Sequence, residues 1–296
     1  ITLPSTTTIP YTLGNLTPLT SYKFAVRQNC TGQWSNVVAS TTPAVATQLP
    51  YFTDFENTTD NSNWQFINGT QINKWYIGSA AGVNTTVNGT NGLFISNDNG
   101  LTNAHTGGTA NLSRVYAYRD FEIPAGTQEL ALTFDWKANG GVAQNDFLRM
   151  YWVPLDLNIT AGNIPPSGYD ASAQIGNYTG GLGEHWLSKS TVFQSKSLVI
   201  NTTQFPNLGG RTWRLVVHWR NESSTTASID PPAVVDNLSL SVITCNAPKN
   251  LATSNITSSS VDIAWTSSAN AFWLFYKPTS ATAYDSLYVN TSSPYT

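Results

Sequence analysis

The chain has 296 residues and a formal net charge of -3, and only 10% of its residues are charged. Soluble proteins typically have about 25% charged residues, and this composition provides no basic stripe that would release counterions from a nucleic acid. No run of about 18 apolar residues occurs, so we expect no direct insertion into a membrane. Abundant aromatic residues and turn clusters about every 8–12 positions predict an all-β chain.

Residues 1–44 contain one clear alternating segment. Tyr22, Phe24 and Val26 share one side of it, which predicts a strand with one buried face. The Tyr22 hydroxyl is expected to bond back to the backbone of the preceding corner, as in sandwich domains. Strands are predicted at 10–16, 21–29 and 34–41. The segment resembles the C-terminal half of a fibronectin type III domain.

Residues 245–296 carry the strands that the N-terminal segment lacks. Alternation around Trp265 and the aromatic run that follows it predict short strands at 247–251, 260–265, 271–276 and 284–289. This segment resembles the N-terminal half of a type III domain. The motif Pro10-Tyr11-Thr12 recurs as Pro294-Tyr295-Thr296. We interpret the chain as a register-shifted unit of a tandem array, whose partners are neighbouring repeats of the same chain; a chance match of three residues is the alternative.

In that resemblance, the two cysteines fall at the same pole of a type III sandwich. Cys245 precedes the first strand of one half, and Cys30 follows the second strand of the other. The resemblance therefore implies disulfides to adjacent repeats, from Cys245 of one unit to the counterpart of Cys30 in the next. Two buried free thiols are the alternative. A disulfide would indicate an oxidising, exported location.

Residues 45–244 are interpreted as a larger β domain. Period-2 strands are predicted at 49–56, 73–78, 94–100, 115–121, 130–137, 146–154, 213–220 and 233–240. The motifs are Pro50-Tyr51…Asp54-Phe55-Glu56, Trp75…Gly78, Phe134-Asp135-Trp136 and Val235-Asp236-Asn237-Leu238. With these motifs the segment resembles jelly-roll modules of large Bacteroidota surface adhesins, which are related to gingipain cleaved-adhesin domains and, more distantly, to meprin-type (MAM) modules. The predicted fold is therefore an all-β jelly-roll β-sandwich flanked by two partial fibronectin type III sandwiches, which are immunoglobulin-like.

The resemblance also implies a location and a metal. Such adhesins are exported by the type IX system and attached to the outer membrane at the cell surface, and some serve gliding motility. Their jelly rolls often hold a structural Ca²⁺ between the first and last strands, where Glu56 and Asp236 match, with backbone oxygens completing the shell. Asp98, in Ser96-Asn97-Asp98-Asn99-Gly100, is a second metal candidate, and an ordinary hairpin turn is its alternative.

Catalytic chemistry is not predicted. Asp54 and Glu56 would share one face of a strand, close to the carboxyl separation of a retaining glycosidase. However, the Glu-x-Asp-x-x-Glu pattern of jelly-roll glycosidases is missing. The histidines, His105, His185 and His218, lack zinc-site spacing and are expected at the surface or in a second layer. We therefore predict that the chain is not an enzyme.

Aromatic residues suggest glycan binding as a rival function. Most tryptophans are expected to be packing residues, namely Trp64, Trp75, Trp152 and Trp219. Trp186 follows a loop-like segment at 181–185, and it is the candidate for an exposed residue that stacks on a sugar. Asp285-Ser286-Leu287 fits the short O-glycosylation pattern known in Bacteroidota, so Ser286 is a candidate acceptor.

These observations favour a repeat unit of a giant extracellular adhesin. Its β-domains would form a stiff stalk or filament for surface attachment, with gliding motility as one use and surface or cell-surface glycans as partners. A glycan-binding module for polysaccharide capture is the rival interpretation. An accessory region of a secreted enzyme is the third.

Overall fold

A computed structural model describes most of the chain. The described residues are 12–18, 20–27, 32–42, 44–80, 86–108, 112–139, 146–163, 187–221, 231–244, 248–267, 269 and 271–290. Strands account for nearly all of their regular structure, and the helix among them, α1 (Thr58–Asn61), has four residues. Within these ranges no helix is long and apolar enough to cross a membrane.

The strands follow one another in this order: β1 (Ser21–Phe24), β2 (Val38–Thr41), β3 (Tyr51–Thr53), β4 (Gln65–Ile67), β5 (Lys74–Gly78), β6 (Gly92–Ser96), β7 (Ser113–Ile123), β8 (Glu129–Ala138), β9 (Asp146–Val153), β10 (Ser190–Asn201), β11 (Arg211–Asn221), β12 (Val234–Val242), β13 (Lys249–Ser254), β14 (Asp262–Thr266), β15 (Phe272–Tyr276) and β16 (Asp285–Val289). Strands β3 to β12 form two antiparallel sheets. One has the order β10-β8-β12-β6-β5, with β3 paired to β12, and the other has the order β4-β7-β11-β9. The remaining strands form three two-stranded sheets.

Alternation along the central strands builds one core between the two sheets. On β11, Trp213, Leu215, Val217 and Trp219 join a cluster that also contains residues of β8 and β12. The side chains between them, including His218, lie on the outer face of the four-stranded sheet, because successive side chains of a strand point to opposite faces. Complete burial of one large apolar side chain stabilises the fold by about 1.5–3 kcal/mol, so this core dominates the stability.

A bulge in β12 explains the Val235-Asp236-Asn237-Leu238 motif. The pairing of β12 with β8 shifts register between Asp236 and Ser239, and Asn237 has a φ of 47°. Asn tolerates this left-handed conformation better than most residues. The extra residue allows Val235 and Leu238 to enter the core together, while Asp236 points away from it.

A buried ionic network fastens α1 to the sandwich. Arg119 of β7 contacts Asp60 through Nη2 and Oδ1 at 2.6 Å. The Tyr51 hydroxyl donates to Asp60 Oδ2 at 2.7 Å, and the Arg119 guanidinium lies 4.3 Å from the centre of the Tyr51 ring. Burial raises the pKa of Tyr51, so its hydroxyl keeps the proton that it donates.

The N-terminal sheet confirms the predicted corner. Strands β1 and β2 pair from Ser21 with Thr41 to Phe24 with Val38. The Thr17 backbone N–H donates to the Tyr22 hydroxyl at 2.9 Å. The strand predicted at 10–16 is wrong for residues 12–16, which have no strand structure. A strand requires a pairing partner, and the type III resemblance assigns that partner to the other half-domain.

The C-terminal strands confirm the predicted segments to within three residues. Strand β13 pairs with β14, and β15 pairs with β16. Trp265 packs edge-on against Phe272, with ring centres 5.0 Å apart. The fold is thus all-β, a jelly-roll sandwich flanked by two partial type III sandwiches. The exact domain boundaries, at 1–44, 45–244 and 245–296, stay a prediction.

Candidate functional site

Glu56 is placed by a strained turn that follows β3. Asp54 and Glu56 lie beyond the end of the strand, so the prediction that they share one strand face is wrong. Phe55 has a φ of 59° and is fully buried, which is an unusual backbone conformation for a bulky residue. The Phe55 and Glu56 N–H groups donate to the side chains of Thr53 and Asp54, at 3.0 and 3.2 Å. The turn redirects the chain and sends the Glu56 carboxylate towards residues 86–91.

The Glu56 carboxylate caps that loop with four hydrogen bonds. Its Oε1 accepts from the Thr90 and Asn91 N–H groups, both at 2.6 Å. Its Oε2 accepts from the two side chains, at 2.9 and 2.8 Å. These donors, with the Asn91 N–H first, lower the pKa of Glu56. Gly89 has a φ of 89°, and a Cβ there would overlap the Glu56 carboxylate, so the loop needs glycine at this position.

The Asp236 carboxylate holds the other side of the same loop. Its Oδ2 accepts from Thr86 Oγ1 at 2.9 Å and from the Val87 N–H at 2.7 Å. Its Oδ1 accepts from the Asn237 N–H at 2.8 Å. Asp236 has no exposed surface, and burial raises its pKa despite these donors. The sequence therefore identified two carboxylates that the fold joins through one loop.

The chemistry of this arrangement fits a hard cation. Neither Glu56 nor Asp236 forms an ion pair with any described residue, so the negative charge of Asp236 is buried with hydrogen bonds alone. The Thr86 hydroxyl and the Asn88 carbonyl, which are hydrogen-bonded to each other, supply further oxygen ligands of the kind that Ca²⁺ prefers. Among the described residues, no group of three or more His, Cys, Asp and Glu could hold a metal. A cation here would depend on hydroxyl and carbonyl oxygens besides the two carboxylates.

Asp98 organises a turn with both carboxylate oxygens. Oδ1 accepts from Ser96 Oγ at 2.5 Å and from the Thr102 N–H at 2.9 Å, and Oδ2 accepts from Thr102 Oγ1 at 2.6 Å. These hydrogen bonds, with Ser96 as the largest cause, lower the pKa of Asp98 to about 2. They agree with the hairpin-turn alternative, and a metal at Asp98 stays a prediction.

A second candidate site lies on the outer face of the four-stranded sheet. We name it the arginine cluster, and its members are Arg114, Arg149, Arg220 and His218. The register aligns Arg114 of β7 with Arg220 of β11, and Arg220 with Phe147 of β9. The next row consists of Tyr116, His218 and Arg149. The sequence pattern correctly predicted that His218 and Arg220 share a face, but pairing with β7 and β9 supplies the other two arginines.

Aromatic rings separate the charges of this cluster. The His218 ring stacks on Tyr116 with centres 4.5 Å apart and meets Phe147 edge-on at 5.9 Å. The Arg149 and Arg220 guanidinium groups lie 4.6 and 5.5 Å from the centre of the Phe147 ring. His218 is 2% exposed. Burial, followed by the positive charges of the three arginines, holds the pKa of His218 well below its usual value, so the imidazole is neutral at pH 7.

Residues 154–163 cross this outer face beside the cluster. Leu157 and Ile159 pack in a small apolar cluster with residues of β7, β9 and β11. The Tyr116 hydroxyl donates to the Asn163 carbonyl at 2.5 Å, and Arg114 Nη1 donates to the Gly162 carbonyl at 3.1 Å. The crossing segment thereby covers the middle of the face and leaves Arg114 and Arg220 half-buried at its edge.

The other predicted site residues have different outcomes. Four tryptophans are core residues as predicted: Trp64, Trp75, Trp152 and Trp219. His105 is also buried, against Trp219, and the expectation that it lies at the surface or in a second layer is wrong because the loop that carries it packs into the fold. Ser286 lies in β16 and is exposed, but its glycosylation stays a prediction. Cys30, Cys245, Trp186 and His185 lie outside the described residues.

Comparison with known proteins gives a likeness of shape. No protein-family profile and no curated protein matches the sequence. The chain is similar to the CBM22-1 xylan-binding domain of Xyn10C from Paenibacillus barcinonensis, with 10% identity, a TM-score of 0.38, and coverage of 68% of this chain and 100% of that one. It is also similar to the K1 cleaved adhesin domain of Lys-gingipain from Porphyromonas gingivalis W83, with 12% identity, a TM-score of 0.35, and coverage of 65% of this chain and 98% of that one. A third similar structure is TmCBM61 in complex with β-1,4-galactotriose, with 9% identity, a TM-score of 0.34, and coverage of 62% of this chain and 90% of that one. Similarity at this level does not indicate the ligand or the activity of this chain.

Proposed function

We propose that this chain is an adhesive unit of a large extracellular surface protein, in which neighbouring repeats complete its terminal half-sandwiches. The observation that carries this proposal is the way in which both connecting segments are fixed to the sandwich. The Thr47 N–H donates to the Asp120 carbonyl at 2.8 Å, and the Glu122 N–H donates to the Thr47 carbonyl at 2.9 Å. At the other end, the Ile243 N–H donates to the Glu129 carbonyl at 3.0 Å.

These hydrogen bonds fix Thr47 and Ile243 to the sandwich. Arg119 Nε also donates to Thr47 Oγ1 at 2.7 Å, and Lys249 Nζ contacts Glu129 Oε1 at 2.5 Å. A connector that is paired along a sheet cannot swing freely, unlike a flexible polar linker. A series of such units would transmit force with little bending, which suits surface attachment and, as one use, gliding.

A direct test measures attachment under load. Beads coated with the whole chain would be held on glass, on hydrophobic surfaces and on surfaces coated with glycans, and flow would then be increased. We expect retention on at least one surface above that of beads coated with an unrelated β-sandwich of similar charge. Equal detachment of both bead types on every surface would contradict the adhesive function.

Glycan binding is the second candidate, and it stays a prediction. In this interpretation the unit captures polysaccharide, and attachment follows from that binding. That the chain is not an enzyme and that it acts at the cell surface, attached to the outer membrane after type IX export, stay predictions.

We also propose a structural Ca²⁺ at Glu56 and Asp236. Support comes from the two carboxylates that hold residues 86–91 and from the buried charge of Asp236, which has no ion-pair partner among the described residues. When bound, the ion would supply a positive charge beside Asp236 and fasten the turn after β3 to β12. Asp98 is the weaker candidate, because its hydrogen bonds to Ser96 and Thr102 lie within one turn, whereas a hard cation is usually bound by oxygens from separate segments.

A further inference from the structure

The hairpin formed by β15 and β16 has one face that belongs to the core of the C-terminal half-domain. Phe272 pairs with Val289 at one end of the hairpin. Val289 is buried, and Phe272 packs edge-on against Trp265 of β14. Leu274 follows on the same face, because successive side chains of a strand alternate. A neighbouring repeat that completes the sandwich would therefore cover this face, and the opposite face would stay in contact with water.

The opposite face carries four large aromatic side chains, each between 56% and 62% exposed. We name it the aromatic face, and its members are Trp273, Phe275, Tyr284 and Tyr288. Trp273 pairs with Tyr288, and Phe275 pairs with Ser286. Tyr284 continues the row just before β16, and its ring lies 4.6 Å from Lys277 Nζ. Contiguous exposed apolar patches on soluble proteins are often binding sites.

The size and shape of the aromatic face suit a small ligand better than a protein. One aromatic side chain has about 150–250 Å² of surface, so four that are more than half exposed present about 500 Å². A stable protein interface takes about 800 Å² from each partner. The Trp273 and Tyr288 rings lie 5.4 Å apart and are inclined by 61°. They therefore form a corner that can hold a ring-sized group, and not a flat surface for a second sheet.

We propose that the aromatic face binds a neutral polysaccharide; this inference rests on the proposed attachment function and names the ligand class of that function. Aromatic rings offer apolar area for the C–H face of a sugar ring. The hydroxyl groups of Ser286, Tyr284 and Tyr288 can form hydrogen bonds with the hydroxyl groups of the sugar, as polar groups among aromatic side chains do in ligand sites. Among the described residues of the hairpin, Lys277 is the charged residue on this face, and its ammonium group already lies against the Tyr284 ring. The face therefore favours an uncharged ligand.

The test measures binding of the whole chain to immobilised polysaccharides by biolayer interferometry. Xylan, galactan and hydroxyethyl cellulose are the neutral polymers, and polygalacturonate is the acidic one. The intact mass of the protein must show no attached glycan, because a sugar on Ser286 would cover the aromatic face. We expect binding to at least one neutral polymer that does not weaken as salt increases, since no charge is screened. Trp273→Ala should lower the affinity about tenfold, near the upper value for one aromatic contact, and Trp273→Phe should retain most of it.

The matched controls are Trp34→Ala and Phe52→Ala. Trp34 and Phe52 are 63% and 60% exposed, so these variants remove the same kind of side chain at the same exposure. Trp34 belongs to the N-terminal half-domain, and Phe52 lies on β3, so neither touches the aromatic face. Phe275→Ala is the second variant of the aromatic face, and it keeps the test informative if Trp273→Ala does not fold.

Each contrary result has a distinct meaning. Equal losses in the controls and in the variants of the aromatic face would assign the binding to apolar surface in general, and unchanged affinity in the latter would overturn the site. Binding to polygalacturonate alone would overturn the neutral ligand. Self-association of the chain that disappears in Trp273→Ala would show that a second copy covers the face, and would overturn the saccharide. Binding to no polymer would overturn the inference, while the bead assay decides the attachment function separately.

Discussion

Among single residues, Asp236 is notable because it is a buried carboxylate without an ion-pair partner among the described residues. Its carboxylate has no exposed surface, and within the described ranges only hydrogen-bond donors face it. An ionised group in such a place normally has a charged partner or a metal. Because burial raises the pKa of Asp236, its ionisation lowers the stability of the folded chain. This loss of stability is absent at low pH, where the carboxyl group is protonated, and it develops as the pH rises above the pKa that the group has in the unfolded chain. A bound cation would remove that penalty.

We therefore predict that Ca²⁺ stabilises the chain through Glu56 and Asp236. Saturation at about 100 times the dissociation constant adds about 2.7 kcal/mol, which raises the melting temperature by about 5 °C or more in a domain of this size. The measurement is a thermal melt with Ca²⁺ and with a chelator. Asp236→Asn should abolish the difference, whereas Asp156→Asn, at an exposed position, should keep it. Identical melts with Ca²⁺ and chelator would refute the metal site.

A second prediction concerns pH. The pKa of His218 is held well below the value of about 6.5 for an unfolded chain. Below pH 6.5 the unfolded chain therefore binds a proton at His218 that the folded chain does not bind. The contribution of His218 to stability is complete above that pH and is lost as the pH falls. The slope from this group is at most about 1.4 kcal/mol per pH unit. His218→Phe should remove this contribution in urea titrations between pH 7.5 and 5.5.

The control is His105→Phe, which replaces a second buried imidazole and leaves the arginine cluster intact. Any loss of slope specific to His218 then reflects its surroundings, which are Arg114, Arg149, Arg220, Tyr116 and Tyr151. Equal slopes for His218→Phe and the unsubstituted chain would show that His218 is protonated to the same extent in both states.

The sequence identified some site residues and missed others for a physical reason. Glu56 and Asp236 lie in motifs close to the first and last strands, so their positions could be predicted. Period-2 alternation also showed that His218 and Arg220 share a face. Arg114 and Arg149 belong to other strands, and strand register depends on tertiary packing that a single strand does not encode. The arginine cluster could therefore not be predicted.

At the scale of elements, α1 depends on its ion pair with β7. The Arg119 side chain is 5% exposed, and its partner Asp60 is 24% exposed. Removal of one partner from a buried pair costs about 3–5 kcal/mol, and the partial exposure of Asp60 reduces this. We predict that Asp60→Ala lowers the free energy of unfolding by about 2–3 kcal/mol, measured by urea denaturation.

The double variant Asp60→Ala/Arg119→Met is the control that separates charge from packing. It removes the stranded guanidinium and keeps an apolar stem, so it should recover part of the loss. Asp156→Ala, on the exposed surface, should have an effect within about 0.5 kcal/mol. An Asp60→Ala loss as small as that of Asp156→Ala would mean that water solvates Arg119 in the variant.

Two strands were missed because their sequences have a weak pattern. Strand β10 is an edge strand, and all of its 12 residues except Ile200 are partly or fully exposed, so no apolar face marks it. Strand β4 has only three residues, which are too few to show an alternation of apolar and polar side chains. The long central strands carry a strict alternation that the core requires, and for that reason they were predicted to within a few residues.

At the scale of the whole molecule, the chain enters and leaves the jelly roll at one pole. Thr47 pairs beside Phe121, and Ile243 bonds to Glu129; the segment that joins β7 to β8 lies between these two positions. The paired first and last strands, β3 and β12, produce this closeness. In an array, the jelly roll would then project sideways from a line of type III sandwiches.

The last prediction tests the array itself. In the isolated chain, apolar side chains of both terminal half-domains are exposed: Val26 at 74%, Leu251 at 72% and Tyr276 at 52%. Unpaired sheet edges with exposed apolar surface favour association. We predict that the single chain self-associates or exchanges its terminal amide hydrogens quickly. Two copies fused end to end should form one complete type III sandwich at the junction, measured by hydrogen exchange and light scattering.

The fused molecule contains its own control. Its outermost half-domains, at the start of the first copy and the end of the second, remain without partners and should stay poorly protected, while the identical sequences at the junction become protected. Cys245 of the first copy should bond with Cys30 of the second, and the chain-entropy model gives about 4 kcal/mol for a loop of that length. A monomeric single chain whose two ends are as protected as β11 would mean that the halves pair within one chain. A Cys30–Cys245 bond inside a single copy, found by peptide mapping, would lead to the same conclusion and would replace the array with a closed molecule.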